Sequence, residues 1–467
     1  MALSLPKDLR PYQQEDYLFL LKHPRAIFAD VMGLGKTYVV TSLLRDCRSD
    51  LPENVRILIL CRRNAFAVWE EHFALHLPDI EIVVVQKTPP QRQAIWVTRS
   101  ETGARAYLCS YASFIRDAQL KSDSLVRWDI VICDEYHRML LSRKTKTFKA
   151  LRRVRSQVLW FLSGTPARRG AQNLWPALHL IKPHMFPSYW KFINTYCWIE
   201  NTPFGMQIMG VRNPGALRAL LRNHMIRHTK EQKQVALEMP PKTRQMLPTV
   251  MDSEQAGIYK ALSEDLMVLI SVGDDRGGAS LIAAPNKLAA MIKMRQLLVC
   301  PKILDPSLGY GAGIKAILEK ADELDKPHFA IFTPFRPALP HIEACLRKEG
   351  YKTVVQLKGG MSSEALKAAI TEVKAEEGVA IGTILYAESF EIETMSYGFM
   401  LGYEWTADDN EQAEDRIHRL ISPLPVNIYY VRHSGTIDDH IMDIVNQKYI
   451  TVNKFLRDPE NLRKVLS

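Results

Sequence analysis

Several common sequence signals are missing from this chain of 467 residues. Its seven cysteines are widely scattered and none forms a CxxC pair, which argues against a disulfide framework and against a zinc knuckle. The start, MALSLPKDLR, has no apolar segment behind a charged end, so a secretory signal is not expected. No run approaches the ~18 consecutive apolar residues that a membrane span needs. These absences favour a globular protein in a reducing, cytosol-like compartment.

Positive charge is in excess, with 61 lysines and arginines against 51 aspartates and glutamates and a formal net charge of +10. That sign suits a polyanionic partner, because each lysine or arginine placed on a phosphate releases counterions. The length predicts more than one domain, since single cores stop growing at roughly 250–300 residues.

The apolar pattern divides the chain into lobes. Runs rich in Val, Ile and Leu without clean alternation, such as Ile57–Cys61 and Ile130–Cys133, predict parallel strands buried on both faces. With helical patterns between them, these strands predict doubly wound α/β lobes. The predicted domains are a first α/β lobe (1–182), mostly helical protrusions with a linker (183–311), a second α/β lobe (312–450) and a C-terminal tail or brace (451–467).

The segment Asp30–Thr37, DVMGLGKT, follows the first predicted strand and precedes a helix. Its glycines allow a tight turn that aims backbone N–H groups at phosphate oxygens, and the helix N-terminus adds a positive dipole. Lys36 would reach the β- and γ-phosphates of a nucleotide, and the Thr37 hydroxyl would hold Mg²⁺. Because the full P-loop pattern has glycine where Asp30 stands, the segment predicts a variant P-loop.

A second apolar strand, within Trp128–His137 (WDIVICDEYH), ends in two adjacent carboxylates. Parallel strands deliver such residues to the sheet edge where α/β folds bind ligands. Asp134 would hold Mg²⁺ through its water shell, and Glu135 would polarise the attacking water. An isolated Asp-Glu pair is usually a solvated strand end, but a position downstream of a phosphate loop favours the catalytic interpretation.

The segment Gln412–Arg419, QAEDRIHR, lies on a predicted helix, Asp408–Leu420. Arg416 and Arg419 are three residues apart and would therefore share one helical face. Reaching the γ-phosphate from another domain, they would act as arginine fingers. The alternative is a salt-bridged surface face formed with neighbouring acidic residues.

SGTP at Ser163–Pro166 alone predicts only a turn. Together with the three segments above, it resembles the nucleotide motifs of helicase superfamily two, and the order of the motifs is the same. More narrowly, the chain resembles the Swi/Snf-type family of DNA-dependent translocases over nearly its whole length. Further segments that carry the resemblance are LRPYQ (Leu9–Gln13), LILCRRNAFAVW (Leu58–Trp69), LEMPPK (Leu237–Lys242), KMRQLLVCPKIL (Lys293–Leu304) and FAIFTPF (Phe329–Phe335). The resemblance implies two RecA-like lobes, which are parallel sheets with helices on both faces, and a helical insertion between them. QAEDRIHR is most similar to the fork-remodelling, strand-annealing branch.

The resemblance also assigns roles to individual residues. ATP contacts are assigned to Gln13, which would read the adenine edge, and to Gly33, Leu34, Gly35, Lys36 and Thr37. Catalysis is assigned to Lys36, Asp134, Glu135, Gln412, Arg416 and Arg419, with Mg²⁺ held by Thr37 and Asp134. Nucleic-acid contacts are assigned to Arg62, Ser110, Tyr111, Thr333, Phe335 and Ser389. Coupling between the ATP and DNA sites is assigned to His137 and Thr165.

One segment, TILYAESFEIET at Thr383–Thr394, departs from the family pattern. The family's fifth motif begins threonine-alanine-glycine-glycine, whereas Glu388, Ser389 and Glu391 stand here where glycines are expected. Two carboxylates near DNA phosphates would repel them, so an altered or weaker grip by the second lobe is expected. No residue assigned to hydrolysis is affected.

The resemblance implies an ATP-driven translocase, using ATP and Mg²⁺, that acts as a monomer on double-stranded or branched DNA. A strand-separating helicase on DNA or RNA, and a DNA-binding protein with a vestigial ATPase, are alternatives that share these motifs. The short distance from the predicted helix Ile437–Lys448 to Ser467 favours a minimal translocase in a prokaryotic or viral setting. Its expected location is the cytoplasm, or the nucleus in a eukaryote.

Overall fold

A computed structural model shows two compact units, each built on a parallel sheet. Unit 1 comprises Met1–Glu238 and Ile450–Ser467, and unit 2 comprises Met239–Tyr449. The structure describes residues 6, 8–86, 88–97, 103–118, 127–167, 170–202, 205–274, 283–361, 363–389, 392, 394–419, 422 and 424–456. Within these ranges, no helix combines the length and the apolar character that crossing a membrane requires.

The strands are β1 (Arg25–Phe28), β2 (Arg56–Cys61), β3 (Glu81–Val85), β4 (Arg105–Ser110), β5 (Arg127–Asp134), β6 (Arg155–Leu162), β7 (Cys197–Thr202), β8 (Gly205–Val211), β9 (Met225–Ile226), β10 (Lys242–Thr249), β11 (Phe329–Thr333), β12 (Val354–Leu357), β13 (Val379–Thr383), β14 (Tyr397–Leu401) and β15 (Val426–His433).

The α-helices are α1 (Pro11–Lys22), α2 (Lys36–Asp46), α3 (Phe66–His76), α4 (Pro89–Val97), α5 (Tyr111–Asp117), α6 (Lys146–Leu151), α7 (Trp175–Ile181), α8 (Tyr189–Tyr196), α9 (Pro214–Leu221), α10 (Lys233–Ala236), α11 (Ser253–Asp274), α12 (Ala283–Val299), α13 (Ala312–Glu323), α14 (Leu339–Lys348), α15 (Ser363–Ala375), α16 (Ala407–Glu414) and α17 (Ile437–Leu456).

Unit 1 contains a seven-stranded parallel sheet in the order β3-β4-β2-β5-β6-β1-β9. Side chains along β2 alternate between two buried clusters, with Ile57 and Ile59 in one and Leu58 and Leu60 in the other. Both faces of the sheet are therefore covered, which is why its strands are continuous apolar runs. Because β5, β6 and β1 are neighbours, the segments that follow them meet at one edge of the sheet.

Unit 2 contains a six-stranded parallel sheet in the order β10-β15-β14-β11-β13-β12. It is also buried on both faces, since Ala330 and Phe332 of β11 enter one apolar cluster while Phe329 and Ile331 enter the other. The prediction of an α/β protein with two parallel-sheet lobes is confirmed.

The middle of the chain contains strands where mostly helix is predicted. β7 and β8 form an antiparallel hairpin, β9 extends the first sheet beside β1, and β10 pairs with all eight residues of β15. β9 has two residues and most of β10 is exposed, so neither has the buried apolar pattern that predicts a strand. The place of each strand is set by its partner rather than by its own sequence.

Candidate functional site

The phosphate loop joins β1 to α2, and its backbone has the conformation that a phosphate cradle needs. Gly33 and Gly35 both have a φ of 81°, in the left-handed region that residues with a Cβ avoid. A Cβ on Gly35 would also lie 2.6 Å from Nε2 of Gln13, so the loop packs directly on α1. Lys36 Nζ donates to the carbonyl oxygen of Asp30 at 2.7 Å, which places the lysine charge inside the loop.

Gln13 connects α1 to this loop. Its buried amide Nε2 donates to the carbonyl oxygen of Leu34 at 3.0 Å, and its Oε1 accepts from the backbone N–H of Arg10 at 3.1 Å. The Tyr12 hydroxyl donates to the same Leu34 carbonyl at 3.3 Å. Gln13 is therefore fixed against the phosphate loop, while its reading of an adenine edge stays a prediction.

The two adjacent carboxylates stand where β5 ends. Asp134 is the last residue of the strand, and Glu135 has a left-handed backbone with φ 46° and ψ 42°. A non-glycine residue holds such a conformation at a cost of roughly 1–3 kcal/mol, and residues of this kind cluster at functional sites. Asp134 Oδ2 accepts from the Trp69 indole N–H at 3.1 Å, whereas Glu135 Oε2 lies 3.2 Å from His137 Nδ1. Different partners thus hold the two acids.

The surroundings separate the acidities of these carboxyl groups. Burial and the neighbouring Glu135 raise the pKa of Asp134 to about 7. Burial alone would also raise the pKa of Glu135, but His137, Lys36 and Arg138 lower it to about 2. Paired carboxylates whose pKa values are driven apart take different roles. Glu135 stays ionised, as a residue that polarises water must be.

Asp134 fits the role of a magnesium ligand. Asp134 and Glu135 are adjacent, partly buried carboxylates, and the pKa of Asp134 is raised. Such a pair lacks nearby positive charge, which a hard divalent cation with oxygen ligands supplies. Thr37 lies in the first turn of α2 and adds the hydroxyl that P-loops contribute. Thr37 and Asp134 are the residues that would hold Mg²⁺ alongside the phosphates of ATP.

The SGTP turn after β6 packs against the phosphate loop. A Cβ on Gly164 would lie 3.0 Å from the Met32 side chain and 3.1 Å from its backbone nitrogen. Ser163 Oγ lies 2.8 Å from His137 Nδ1 and accepts from the backbone N–H of Thr165 at 3.0 Å. The two predicted coupling residues therefore share one serine hydroxyl, between the carboxylate turn and the phosphate loop.

Arg227 also stabilises this edge of the unit 1 sheet, although the sequence predicts no role for it there. Its Nη1 donates to the carbonyl oxygens of Ala29 at 2.8 Å and Gly164 at 2.7 Å. It thereby ties the end of β1 to the SGTP turn. Arg227 directly follows the two-residue strand β9, and only the pairing of that strand with β1 brings it here.

In unit 2, the prediction of a single helix carrying both arginines is wrong beyond Glu414, where α16 ends. Arg416 and Arg419 lie in the turn and loop that follow. The Arg416 carbonyl accepts from the backbone N–H of Ile392 at 3.0 Å instead of continuing a helix, and its Nε donates to the Gln412 carbonyl at 3.2 Å. The structure brings Gln412 and both arginines into one short segment but not onto one helical face.

Glu414 anchors this segment from inside the unit. Its fully buried carboxylate accepts from Lys242 at 2.8 Å, from Arg244 at 2.7 Å and from the Tyr430 hydroxyl at 2.5 Å. Burial alone would raise the pKa of Glu414, but the charges of Lys242 and Arg244 hold it far below its usual range. The surface salt-bridge interpretation is therefore wrong for Glu414, whose cationic partners belong to β10.

The predicted nucleic-acid contacts divide by burial. Three have buried side chains: Ser110, Tyr111 and Thr333. Two are partly exposed: Arg62 and Phe335. The Tyr111 hydroxyl donates to the backbone carbonyl of Asp134 at 2.8 Å and so ties the start of α5 to the end of β5. Ser389, like Glu388 and Glu391, lies outside the residues whose side chains the structure describes, and all six contacts stay predictions.

Unit 1 combines a phosphate loop bent at glycines with two carboxylates of separated acidity at a strand end, and the SGTP turn links the loop to the carboxylates. These features define a P-loop nucleotide hydrolase. A model of the SNF2-related domain matches residues 12–299 of the chain. This match spans more than half of the chain, and the chain belongs to the SNF2-related family. The prediction of a Swi/Snf-type, DNA-dependent, helicase-like ATPase is confirmed at the level of the family.

Curated relatives resemble the chain over almost all of its length. The SWI/SNF-related matrix-associated actin-dependent regulator of chromatin subfamily A-like protein 1 of Xenopus tropicalis is 25% identical over 456 residues, which cover 95% of this chain and 44% of that protein. The mouse DNA annealing helicase and endonuclease ZRANB3 is 25% identical over 467 residues, which cover 95% and 41%. The chain thus spans less than half the length of either relative. The solved SWI2/SNF2 ATPase core of Sulfolobus solfataricus in complex with dsDNA aligns at a TM-score of 0.44 and 21% identity, covering 100% of this chain and 99% of that one.

Proposed function

We propose that this chain uses ATP to move along double-stranded DNA and thereby remodels DNA structures, such as forks or branch points, or DNA-bound complexes. The proposal is supported most by the edge of the unit 1 sheet that carries the phosphate loop. There Lys36 lies inside the loop, and Glu135, next to the loop, is held ionised. A vestigial ATPase would not need to keep Glu135 in a left-handed backbone conformation.

In this proposal, unit 1 binds the nucleotide. Gln13 and the backbone of Gly33, Leu34 and Gly35 receive ATP, and the Lys36 ammonium neutralises charge on its β- and γ-phosphates. Thr37 and Asp134 would hold Mg²⁺, which, when bound, neutralises further phosphate charge. Glu135 accepts a hydrogen bond from the attacking water and orients it towards the γ-phosphorus.

Unit 2 contributes the arginines. Arg416 and Arg419, with Gln412 beside them, would stabilise the charge that develops on the γ-phosphoryl group. ATP would favour the state in which these residues reach it, and hydrolysis would remove that preference. His137 and Thr165, which share the Ser163 hydroxyl, would pass this change towards the DNA contacts.

Duplex DNA is the proposed track for two reasons. The net charge of +10 suits a polyanion, and the mouse relative is named as a DNA annealing helicase. Contacts to the sugar-phosphate backbone carry little sequence preference. We therefore expect binding that depends strongly on salt and weakly on sequence, and Glu388 and Glu391 would weaken it at the fifth motif.

ATP hydrolysis measured without nucleic acid, with single-stranded DNA, with duplex DNA and with RNA tests this proposal. We expect duplex DNA to stimulate the rate most, and we expect the stimulation to fall between 50 and 200 mM salt, roughly as counterion release requires. Lys36→Ala gives the background, because it removes the charge from the phosphate loop. Equal rates in all four conditions would contradict the proposal, and stimulation by RNA alone would favour an RNA helicase.

A further inference from the structure

A buried charged cluster lies behind the phosphate loop. It consists of Asp16 from α1, Asp30 from the phosphate loop and His228, two residues beyond β9, all of them almost fully buried. Asp30 is the residue that stands where the full P-loop pattern has glycine, so this cluster gives that departure a physical setting. None of the three residues has a part in the hydrolysis described above.

His228 contacts carboxylates through both nitrogens of its ring. Nδ1 lies 2.9 Å from Asp16 Oδ1 and 3.4 Å from Asp30 Oδ1, and Nε2 lies 3.1 Å from Glu15 Oε2. The backbone of His228 also binds the loop, because its N–H donates to Asp30 Oδ1 at 2.6 Å and its carbonyl accepts from Val31 at 3.1 Å. A neutral imidazole donates from one nitrogen only, so two carboxylate partners call for the doubly protonated ring.

Burial and the neighbouring Asp30 raise the pKa of Asp16 well above its usual range, and a cation at His228 opposes that rise. The second carboxylate oxygens of Asp16 and Asp30 are buried and, in the part of the chain that the structure describes, have no hydrogen-bond partner. Burial alone would lower the pKa of His228, but its bonds to Asp16 and Asp30 raise it to about 11. Other polar and charged groups near the ring and its partners include Glu15, the Tyr12 ring at 5.8 Å, Gln234 bound to Glu15, and Lys36 bound to the Asp30 carbonyl.

We propose that protonated His228 is a positioning residue for ATP binding, the internal cation that fastens the phosphate loop to α1 through Asp30 and Asp16. The same helix carries Gln13, whose amide holds the loop at Leu34. The two attachments together set the distance between the phosphate cradle and the adenine-reading glutamine. This inference rests on the proposed function, because it assumes that both elements bind one ATP molecule.

A divalent cation is the competing occupant of the cluster, since one ligand atom from each of the three residues lies within 4.8 Å of the others. The geometry favours the proton. A metal would occupy a ring nitrogen that lies at hydrogen-bond distance from Asp16, whereas an imidazolium uses both ring nitrogens and leaves the backbone bonds in place.

The test compares His228→Gln, His228→Arg and His224→Gln in DNA-stimulated ATP hydrolysis. His228→Gln leaves two buried carboxylates without a cation, and we expect KM for ATP to rise about tenfold or more with kcat changed less. His228→Arg restores a cation with several donors and should recover most of the affinity. His224→Gln is the matched control, because burial lowers the pKa of this nearby histidine and, in the described structure, neither of its ring nitrogens has a hydrogen-bond partner. Its KM should stay unchanged.

Asp16→Asn covers the case in which His228→Gln does not fold. It keeps the side-chain shape and the cation but weakens the link to α1, so it should also raise KM for ATP. Unchanged KM in both variants, or a fall in kcat alone, would overturn the proposal. So would one equivalent of tightly bound metal in the wild type that is lost in His228→Gln.

Direct binding separates this inference from the proposed function. Calorimetric titration with a non-hydrolysable ATP analogue should show the same loss of affinity in His228→Gln and its recovery in His228→Arg. If the wild type shows no DNA-stimulated hydrolysis, the proposed function fails while this titration still decides the role of His228. Equal affinity for the analogue in the wild type and His228→Gln would refute the proposed role of His228 but not the proposed function.

Discussion

Replacing Glu135 by glutamine is expected to lower DNA-stimulated ATP hydrolysis by about 10²–10⁴-fold while leaving ATP binding near the wild-type level. Glutamine keeps the size of the side chain but lacks the negative charge that polarises and orients the attacking water. The reason for a large effect is local: Glu135 is held by a left-handed backbone and lies 3.2 Å from His137, and His137, Lys36 and Arg138 keep its pKa near 2.

Glu81→Gln is the matched control for this variant. Glu81 is an exposed acid in the same sheet that pairs with Arg105 at 2.8 Å, and exposed pairs of this kind contribute little. Its hydrolysis rate should equal that of the wild type. A normal rate in Glu135→Gln would remove the residue from catalysis. A loss of ATP affinity as large as the loss of rate would instead place its contribution in binding.

Arg416→Ala should lower kcat by about 10³-fold and leave ATP affinity nearly unchanged, as the loss of an arginine finger does. Arg416 lies just after α16, where its carbonyl is held by Ile392 and its guanidinium by the Gln412 carbonyl. The buried Glu414 holds the end of the helix two residues earlier. The arginine is therefore held at a defined position.

Two further variants show whether a loss of kcat in Arg416→Ala comes from the guanidinium of Arg416 itself. Arg432→Ala removes a half-exposed arginine of the same unit that pairs with Asp439, and its kcat should remain that of the wild type. Arg416→Lys keeps the charge but lacks the planar fork of donors, so its kcat should remain well below that of the wild type. Unchanged turnover in Arg416→Ala, with a melting temperature equal to that of the wild type, would exclude the arginine from the site.

The sequence predicts the sheets well where strands are buried on both faces. β13 and β14 have the bounds that their apolar runs predict, because a continuous run flanked by turns has few other ways to pack. The edge strand β10 was not predicted, since its exposed side chains leave no apolar pattern. The end of α16 could not be predicted either, because it depends on β10 residues far away in the chain.

In the candidate site, too, the sequence predicts the local segments but not the residues that are placed by distant contacts. The phosphate loop, Asp134 with Glu135, and SGTP are local segments that each follow a strand, so their spacing in the sequence predicts their common edge. The sequence does not predict the places of Arg227 and His228, which bind Ala29 and Asp30, 198 positions earlier, and which follow a strand of only two residues. Asp30, which stands where the full P-loop pattern has glycine, is the one local signal, and its contacts depend on a histidine that no local pattern connects to it.

Displacement of a third strand from a DNA triplex tests movement along duplex DNA most directly. A triplex-forming oligonucleotide is bound at one end of a duplex, and its release is followed with ATP for the wild type and for Glu135→Gln. We predict that the wild type releases the third strand while the duplex stays paired, and that Glu135→Gln does not release it. A third strand that stays bound while ATP is hydrolysed, or separation of the duplex strands themselves, would contradict the account.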